Sequence, residues 1–137
     1  NNVCKKAWLK EGDQIWMIGL PLETNIKKDN RISLSASSFL EYIHSLKTGR
    51  PPEIDLDLEK QVHSFLRKII KKRIINSAHD LGDGGLAVAL AECCISSGYG
   101  ANIMLPLSHS RLDRLLFGEG GARDLCVFET AIRKNGK

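Results

Sequence analysis

A strand, a glycine-rich turn and a helix that is apolar around its whole circumference follow one another between Ile74 and Gly98. The segment IINSAH (74–79) has the composition of a buried strand, and LAVALAECCISSG (86–98) carries a single acidic residue among apolar and small ones. Such a helix has no polar face to turn toward solvent, so we expect it to be buried between other elements. This constraint favours a layered domain in which helices cover a sheet.

The rest of the chain supplies the other elements of such a domain. The sequence predicts a strand at 12–20 that is buried on both faces, a loop at 21–33, a short helix within 35–49 capped by Ser35 or Ser37 and ended by Gly49, a long amphipathic helix capped by Asp55, a strand at 101–107, a short helix from about Ser110, and a strand at about 124–128. Their order indicates an α+β fold, a mixed sheet flanked by helices.

Composition excludes several classes of protein. The 137 residues suit one domain, and the net charge of +4 is concentrated in a basic cluster between 67 and 73 that has no interleaved aromatic residues. We therefore expect a solvated helix end there and no nucleic-acid partner. The longest apolar run, 84–95, is too short to cross a membrane, and the N-terminus has no apolar signal core, which predicts a cytoplasmic or organelle-stromal protein. The four cysteines form no Cys-x-x-Cys pair, which argues against zinc and against a disulfide framework.

The turn at 82–87 (GDGGLA) satisfies the dinucleotide pattern G-x-G-x-x-A between a strand and a helix. Two observations weigh against a dinucleotide. Asp80 and Asp83 would place negative charge beside a pyrophosphate, and the acid that binds the ribose, expected ~20 residues further on, is missing. Two interpretations remain open. The carboxylates cap the helix in a structural role, or they help to hold a divalent cation whose charge allows a phosphate to bind there.

A second glycine loop, FGEGGAR (117–123), presents a similar choice. Arg123, beside flexible backbone N–H groups, is suited to a phosphate, whereas Glu119 is near enough in sequence to pair with Arg123 on the surface. Ser77, His79 and Asp80 are too close in sequence to converge as a catalytic triad does, so the residues support no catalytic assignment.

SAHDLGDGGLAVALAE (77–92) resembles a signature of the C-terminal domain in the aminoimidazole ribonucleotide synthetase-like superfamily. More closely, it is similar to the synthetase subunits of the phosphoribosylformylglycinamidine synthases. KEGDQIWMIG (10–19), the region from 34 to 62, and RLLFGEGGARDLCVF (114–128) resemble further blocks of that family in the same order. The resemblance covers about residues 10–128 and implies a linker at 1–9 and a C-terminal-type domain at 10–137 that lacks its closing elements.

The family joins formylglycinamide ribonucleotide and ammonia, using ATP and magnesium, to form an amidine in purine biosynthesis. The resemblance thus implies a fragment of a carbon–nitrogen ligase whose partners are the remainder of the synthetase chain and a glutaminase. The family's catalytic histidine, magnesium ligands and glutaminase cysteine belong to regions outside this chain. We therefore expect this chain to be inactive alone, without a catalytic or metal-binding residue or a tightly bound cofactor.

By the same resemblance the acidic turn and the second glycine loop lie beside a nucleotide cleft. The candidate residues of this cleft are Asp80, Asp83, Gly84, Gly85, Glu119 and Arg123. We expect the two aspartates to fix the helix start and to face the cleft between domains. This chain departs from the family at Ser35 and Ala36, where paired glycines are common, and only Glu119 and Arg123 match the family's second loop. The alternatives are a free-standing nucleotide- or phosphate-binding domain and an interaction domain without a ligand.

Overall fold

The computed structural model describes residues 3–22, 29–105 and 111–129. Its elements are β1 (Gln14–Gly19), α1 (Ser38–His44), α2 (Leu56–Lys71), β2 (Ile75–Asp80), α3 (Gly85–Ser97), α4 (Leu112–Phe117) and β3 (Arg123–Phe128). The predicted α+β class is confirmed. Within the described ranges, no helix has both the length and the apolar character that crossing a membrane requires.

The three strands form one sheet in the order β1-β3-β2, and both pairings are antiparallel. The mixed character that the sequence predicts is therefore absent from the described strands. The predicted strand at 101–107 is not among the described strands: residues 101–105 form no strand, and 106–107 lie outside the described residues. β3 is central: it pairs with β1 along its whole length and with β2 from Asp124 to Phe128, which helps to explain why Cys126 and Val127 are almost fully buried.

Helix α2 covers one face of the sheet. Its side chains Val62, Leu66 and Ile69 are buried in one cluster with Cys126 of β3, as the three- and four-residue spacing of its apolar stripe predicts. The helix begins where predicted, because Asp55 Oδ1 accepts a hydrogen bond of 3.0 Å from Leu58 N. This element follows from local sequence alone.

Helix α3 covers the opposite face. Leu86 and Ala89 pack with Leu125, and Cys93 packs with Val127. Successive side chains of β3 therefore point alternately to the α3 side and to the α2 side of the sheet. The expectation that α3 is buried on all sides is wrong. Ile95 is 82% exposed, because the described chain places the sheet on one side of the helix and covers little of the other.

Strand β1 also departs from the prediction of burial on both faces. It lies at the edge of the sheet, and its residues are exposed or half-buried; Trp16 is 55% exposed. Before β1, Lys5 O accepts a hydrogen bond from Ala78 N and Trp8 is buried against Val127. Residues 5 and 8 thus lie against the sheet, and the assignment of 1–9 to a linker stays a prediction.

The predicted short helix is α1, and Ser37 caps it. Ser37 Oγ accepts a hydrogen bond of 3.3 Å from Leu40 N. The helix ends at Ser45, which is left-handed, before the glycine that the sequence suggested as its stop. Ala36 has φ +56°, so the backbone keeps a left-handed conformation here although an alanine occupies it.

Candidate functional site

The two glycine loops meet at the start of α3. Gly85 has φ +66°, and a Cβ at this position would lie 2.7 Å from Gly118 O and 2.9 Å from Phe117 C. A side chain therefore has no room there, and the backbone conformation also favours glycine. The helix start and the second glycine loop consequently pack backbone against backbone.

The carboxylate of Glu119 fixes this junction. Its Oε1 accepts hydrogen bonds from Gly84 N at 2.8 Å and from Ser38 N at 2.7 Å, which are the starts of α3 and α1. Its backbone N and O both pair with Ser33, each at 2.9 Å. One side chain thus supplies the negative charge that two helix N-termini favour and holds three separate segments together.

The predicted capping role of Asp80 and Asp83 is corrected by this geometry. Helix α3 begins after Gly84, which has φ +80°. Because the residue at the cap position is a glycine, it has no side chain that could cap the helix. Glu119, 35 residues away in the chain, accepts the Gly84 N–H instead. The sequence analysis considered only Arg123, a local residue, as a partner for Glu119, and therefore missed this role.

Arg123 lies inside the molecule and not on its surface. The residue is 3% exposed, and its Nη2 donates a hydrogen bond of 2.7 Å to Gly118 O. Burial lowers the pKa of Arg123 to about 10, which leaves the guanidinium protonated at neutral pH. Among the salt bridges of the described residues there is none between Arg123 and Glu119, so the surface pair is not formed. The buried guanidinium stabilises the second glycine loop through its hydrogen bond to the loop backbone. In this position the guanidinium is not directly accessible to a phosphate in solvent.

Asp80 and Asp83 are exposed and line a shallow pocket of about 350 Å³ on the α3 side. His79, Gly82, Ala89 and Glu92 complete its lining. The carboxylate of Asp80 is 81% exposed and lies 3.4 Å from His79 Nδ1. The two aspartates therefore share one pocket, whereas the other four candidates form the junction behind it.

The inner side of this pocket is a hydrogen-bonded chain that sequence analysis did not identify. His79 Nε2 lies 2.5 Å from Glu92 Oε2, and Lys6 Nζ lies 3.4 Å from the same oxygen. The hydrogen bond from His79, followed by that from Lys6, lowers the pKa of Glu92. The strand–turn–helix connection brings His79 and Glu92 together. The contact could have been predicted from the sequence, because one residue lies at the end of a strand and the other within the next helix.

A second feature absent from the sequence analysis is a pair of carboxylates on neighbouring strands. Asp80 and Asp124 are register partners across β2 and β3. Burial, with a contribution from the charge of Asp80, raises the pKa of Asp124 to about 6. Like charges placed opposite each other destabilise a sheet, so an ionised Asp124 is unfavourable beside Asp80.

The arrangement is suited to attracting a cation to the pocket. Within the described ranges, no three His, Cys, Asp or Glu side chains are placed to hold a metal ion by themselves. Magnesium commonly keeps several waters and binds one or two carboxylates together with substrate phosphates, and the exposed Asp80 and Asp83 fit that donor set.

Comparison with known proteins gives relatives over most of this chain. It is 81% identical over 130 residues to the phosphoribosylformylglycinamidine synthase subunit PurL of Prochlorococcus marinus (strain NATL1A), covering 95% of this chain and 16% of that protein. It is 52% identical over 124 residues to the corresponding subunit of Thermosynechococcus vestitus, again covering 16% of that protein. The chain thus spans about one sixth of the length of these curated relatives.

A solved structure of T. maritima PurL complexed with FGAR is similar in fold. It matches 93% of this chain and 21% of its own chain with a TM-score of 0.68 and 20% sequence identity. The family model described as AIR synthase related protein, C-terminal domain, matches residues 10–129. The chain therefore belongs to the family of AIR synthase related protein C-terminal domains.

Proposed function

We propose that this chain contributes a C-terminal-type domain to an ATP-dependent synthetase of purine biosynthesis. The synthetase converts formylglycinamide ribonucleotide and ammonia to formylglycinamidine ribonucleotide. The observation that carries the proposal is the 81% identity to a phosphoribosylformylglycinamidine synthase subunit over 95% of this chain. Because the chain covers 16% of that protein, the activity belongs to the whole polypeptide, with ATP and magnesium as cofactors, a glutaminase as ammonia source, and the cytoplasm as location.

A chimera tests this assignment. In the Prochlorococcus marinus NATL1A subunit, this chain replaces the aligned segment; we call the product the full-length chimera. At 81% identity most core contacts are retained, so we expect the full-length chimera to form the amidine from ammonia, ATP and formylglycinamide ribonucleotide. A soluble, folded chimera that forms no amidine, assayed beside the active parent, would contradict the proposal.

Within that enzyme we assign Asp80 and Asp83 to the wall of the nucleotide cleft. Both carboxylates are exposed in one pocket, and Glu92 adds a third carboxylate to its lining. The N–H of Gly84 is already bonded to Glu119, so a phosphate does not take the usual position on the first N–H of α3. A magnesium ion supplies the positive charge that allows nucleotide phosphates to approach carboxylates.

Substitution of the two aspartates tests the site separately from the activity. In the full-length chimera, Asp80→Asn with Asp83→Asn removes two charges without changing side-chain size. We expect KM for magnesium–ATP to rise on the order of 10-fold, which corresponds to about 1.4 kcal/mol. Glu53→Gln, an exposed carboxylate elsewhere on the chain, serves as the control. An unchanged KM in an active double variant would refute the site and leave the proposed function standing.

A further inference from the structure

Three side chains from separate parts of the polypeptide converge behind the pocket that contains Asp80 and Asp83. Lys6 lies in the N-terminal segment, Glu92 in α3 and His79 near the end of β2. Lys6 Nζ lies 3.4 Å from Glu92 Oε2, and His79 Nε2 lies 2.5 Å from the same oxygen. We call these three side chains the charged bridge.

His79 connects the charged bridge to Asp80. Its side chain is 16% exposed, that of Asp80 is 81% exposed, and His79 Nδ1 lies 3.4 Å from Asp80 Oδ1. Among the ion pairs of the described residues, this is the one that Asp80 forms. The two nitrogens lie on different sides of the imidazole ring, so a hydrogen bond at Nε2 also sets the direction in which Nδ1 points. The exposed carboxylate therefore faces a ring whose orientation is set from inside the protein.

Glu92 is the residue that orients this ring. The hydrogen bond from His79, followed by that from Lys6, lowers the pKa of Glu92, so its side chain is a carboxylate at neutral pH. A carboxylate can only accept hydrogen bonds, and we therefore assign the proton between the two groups to His79 Nε2. Nδ1 is then the nitrogen on the side of Asp80. Without the carboxylate the ring would lose the partner that fixes its rotation.

The N-terminal segment is held in place on both sides of Lys6. Lys5 O accepts a hydrogen bond of 3.1 Å from Ala78 N on β2, and Trp8 lies in one buried cluster with Cys93 on α3. Ala78 directly precedes the histidine of the charged bridge, and Cys93 directly follows its glutamate. The position of the ammonium group relative to the bridge thus depends on how the N-terminal segment lies on β2 and α3.

Lys6 can influence the pocket only indirectly. The lining of the pocket includes His79, Asp80 and Glu92 but not Lys6. An exposed carboxylate samples many orientations, and carboxylates that bind metal ions are commonly held by hydrogen bonds from neighbouring groups. The charged bridge supplies such a neighbour for Asp80 and connects it to a segment that lies outside the pocket.

We propose that the charged bridge positions Asp80 and couples it to the N-terminal segment. Lys6 fixes Glu92, Glu92 orients the ring of His79, and the ring holds the Asp80 carboxylate at the pocket. The three are positioning residues. This inference rests on the proposed role of Asp80 in binding a magnesium–nucleotide complex, and it adds that the placement of the N-terminal segment sets the affinity of that site.

Calorimetry with magnesium–ADP on the full-length chimera tests the coupling without turnover. Because the bridge acts through Asp80, its loss cannot weaken binding more than the loss of Asp80 does. We expect Kd to rise about 5-fold in Asp80→Asn, about 5-fold in Glu92→Gln and about 3-fold in Lys6→Met. Lys6→Arg keeps the charge and the hydrogen-bond donors and should restore the affinity of the parent. Lys5→Met removes the same charge at the adjacent exposed position and should leave Kd unchanged.

A double-mutant cycle shows whether the effect of Lys6 passes through Asp80. In the Asp80→Asn background, Lys6→Met should cause no further rise in Kd. The same rise in both backgrounds would overturn the inference, and so would equal Kd values for Lys6→Met and Lys5→Met; both results leave Asp80 in the site. An unchanged Kd in Asp80→Asn would refute the role of Asp80 and the inference together. A chimera that formed no amidine would refute the proposed function, and calorimetry would still decide the inference.

Steady-state kinetics distinguish positioning from a general structural role. In Lys6→Met we expect KM for magnesium–ATP to rise about 3-fold, whereas kcat and KM for formylglycinamide ribonucleotide stay the same. A bridge that only stabilises the fold would lower kcat in proportion to the folded protein lost, as measured by thermal unfolding, and would leave both KM values unchanged. That result would overturn the inference.

Discussion

Glu119 shows how much of this site depends on one residue with distant partners. Its carboxylate accepts N–H groups from Ser38 and Gly84, which are 81 and 35 residues away. Sequence reasoning considers neighbours first, and Arg123, four residues on, was the obvious one. The glycines of the two loops were visible in the sequence, but their backbone contact depends on the packing of α3 against α4.

Removing the Glu119 carboxylate tests its part in the junction. Glu119→Ala leaves two helix-start N–H groups without their acceptor, and we expect the free energy of unfolding to fall by about 2–4 kcal/mol. Glu119→Gln keeps an oxygen acceptor and loses the charge, so its cost should be about 1 kcal/mol. Urea denaturation of the chain measures both, with Glu53→Ala as an exposed control. If Glu119→Ala matched the control, the bridging role would be wrong.

Asp124 makes stability depend on pH at the neighbouring position. Its folded-state pKa of about 6 is above the ordinary value of 3.8, so the folded chain binds the proton more tightly than the unfolded chain does. Stability therefore falls as pH rises between about 4 and 6. Asp124→Asn removes this loss, and we expect it to stabilise the chain by about 1–2 kcal/mol at pH 7.5, since partial exposure screens the charge.

The same substitution should have little effect near pH 3.5, where Asp124 is mostly protonated in both states. Urea denaturation at the two pH values measures the difference, and Glu53→Gln should show none. Equal effects of Asp124→Asn at both pH values would contradict the raised pKa.

At the scale of elements, some predictions depend only on the local sequence pattern, whereas others depend on which elements meet in the folded chain. Helix α2 and its Asp55 cap follow from the spacing of apolar residues and from a bond that spans three residues. The segment 101–105 has strand composition but no adjacent partner in the described chain, so composition alone gave the wrong element. The antiparallel order of the sheet depends on which strands meet, and that information is not local.

Helix α3 illustrates the same division on one element, because its apolar circumference is buried on one side only. Ile95 is 82% exposed, whereas Ala89 is 3% exposed against Leu86 and Leu125. We expect Ile95→Lys to change the free energy of unfolding of this chain by less than about 0.5 kcal/mol. Ala89→Lys, which buries a charge, should cost more than about 3 kcal/mol. Thermal unfolding followed by circular dichroism compares them, and similar losses would show that α3 is covered on both sides.

At the scale of the whole molecule, the proposed nucleotide site is one that we expect other parts of the proposed synthetase to complete. The pocket that contains Asp80 and Asp83 is shallow, and the described residues place no three metal-ligating side chains together. If the chain is part of such a synthetase, as we propose, we expect the catalytic histidine and the main magnesium ligands to lie in segments outside it. Binding energy and charge stabilisation in a transition state require those groups to be held around the substrate at the same time.

We therefore expect the isolated chain to form no amidine above background with formylglycinamide ribonucleotide, ammonia, ATP and magnesium. The full-length chimera, assayed in parallel, controls for the quality of the substrates. The test needs a folded chain, which slow exchange of the Trp16 and Ile18 amides establishes, because both bond to the central strand β3. Turnover by the isolated chain would mean that the catalytic groups lie within its 137 residues, and would contradict the division of the active site between this domain and the rest of the synthetase.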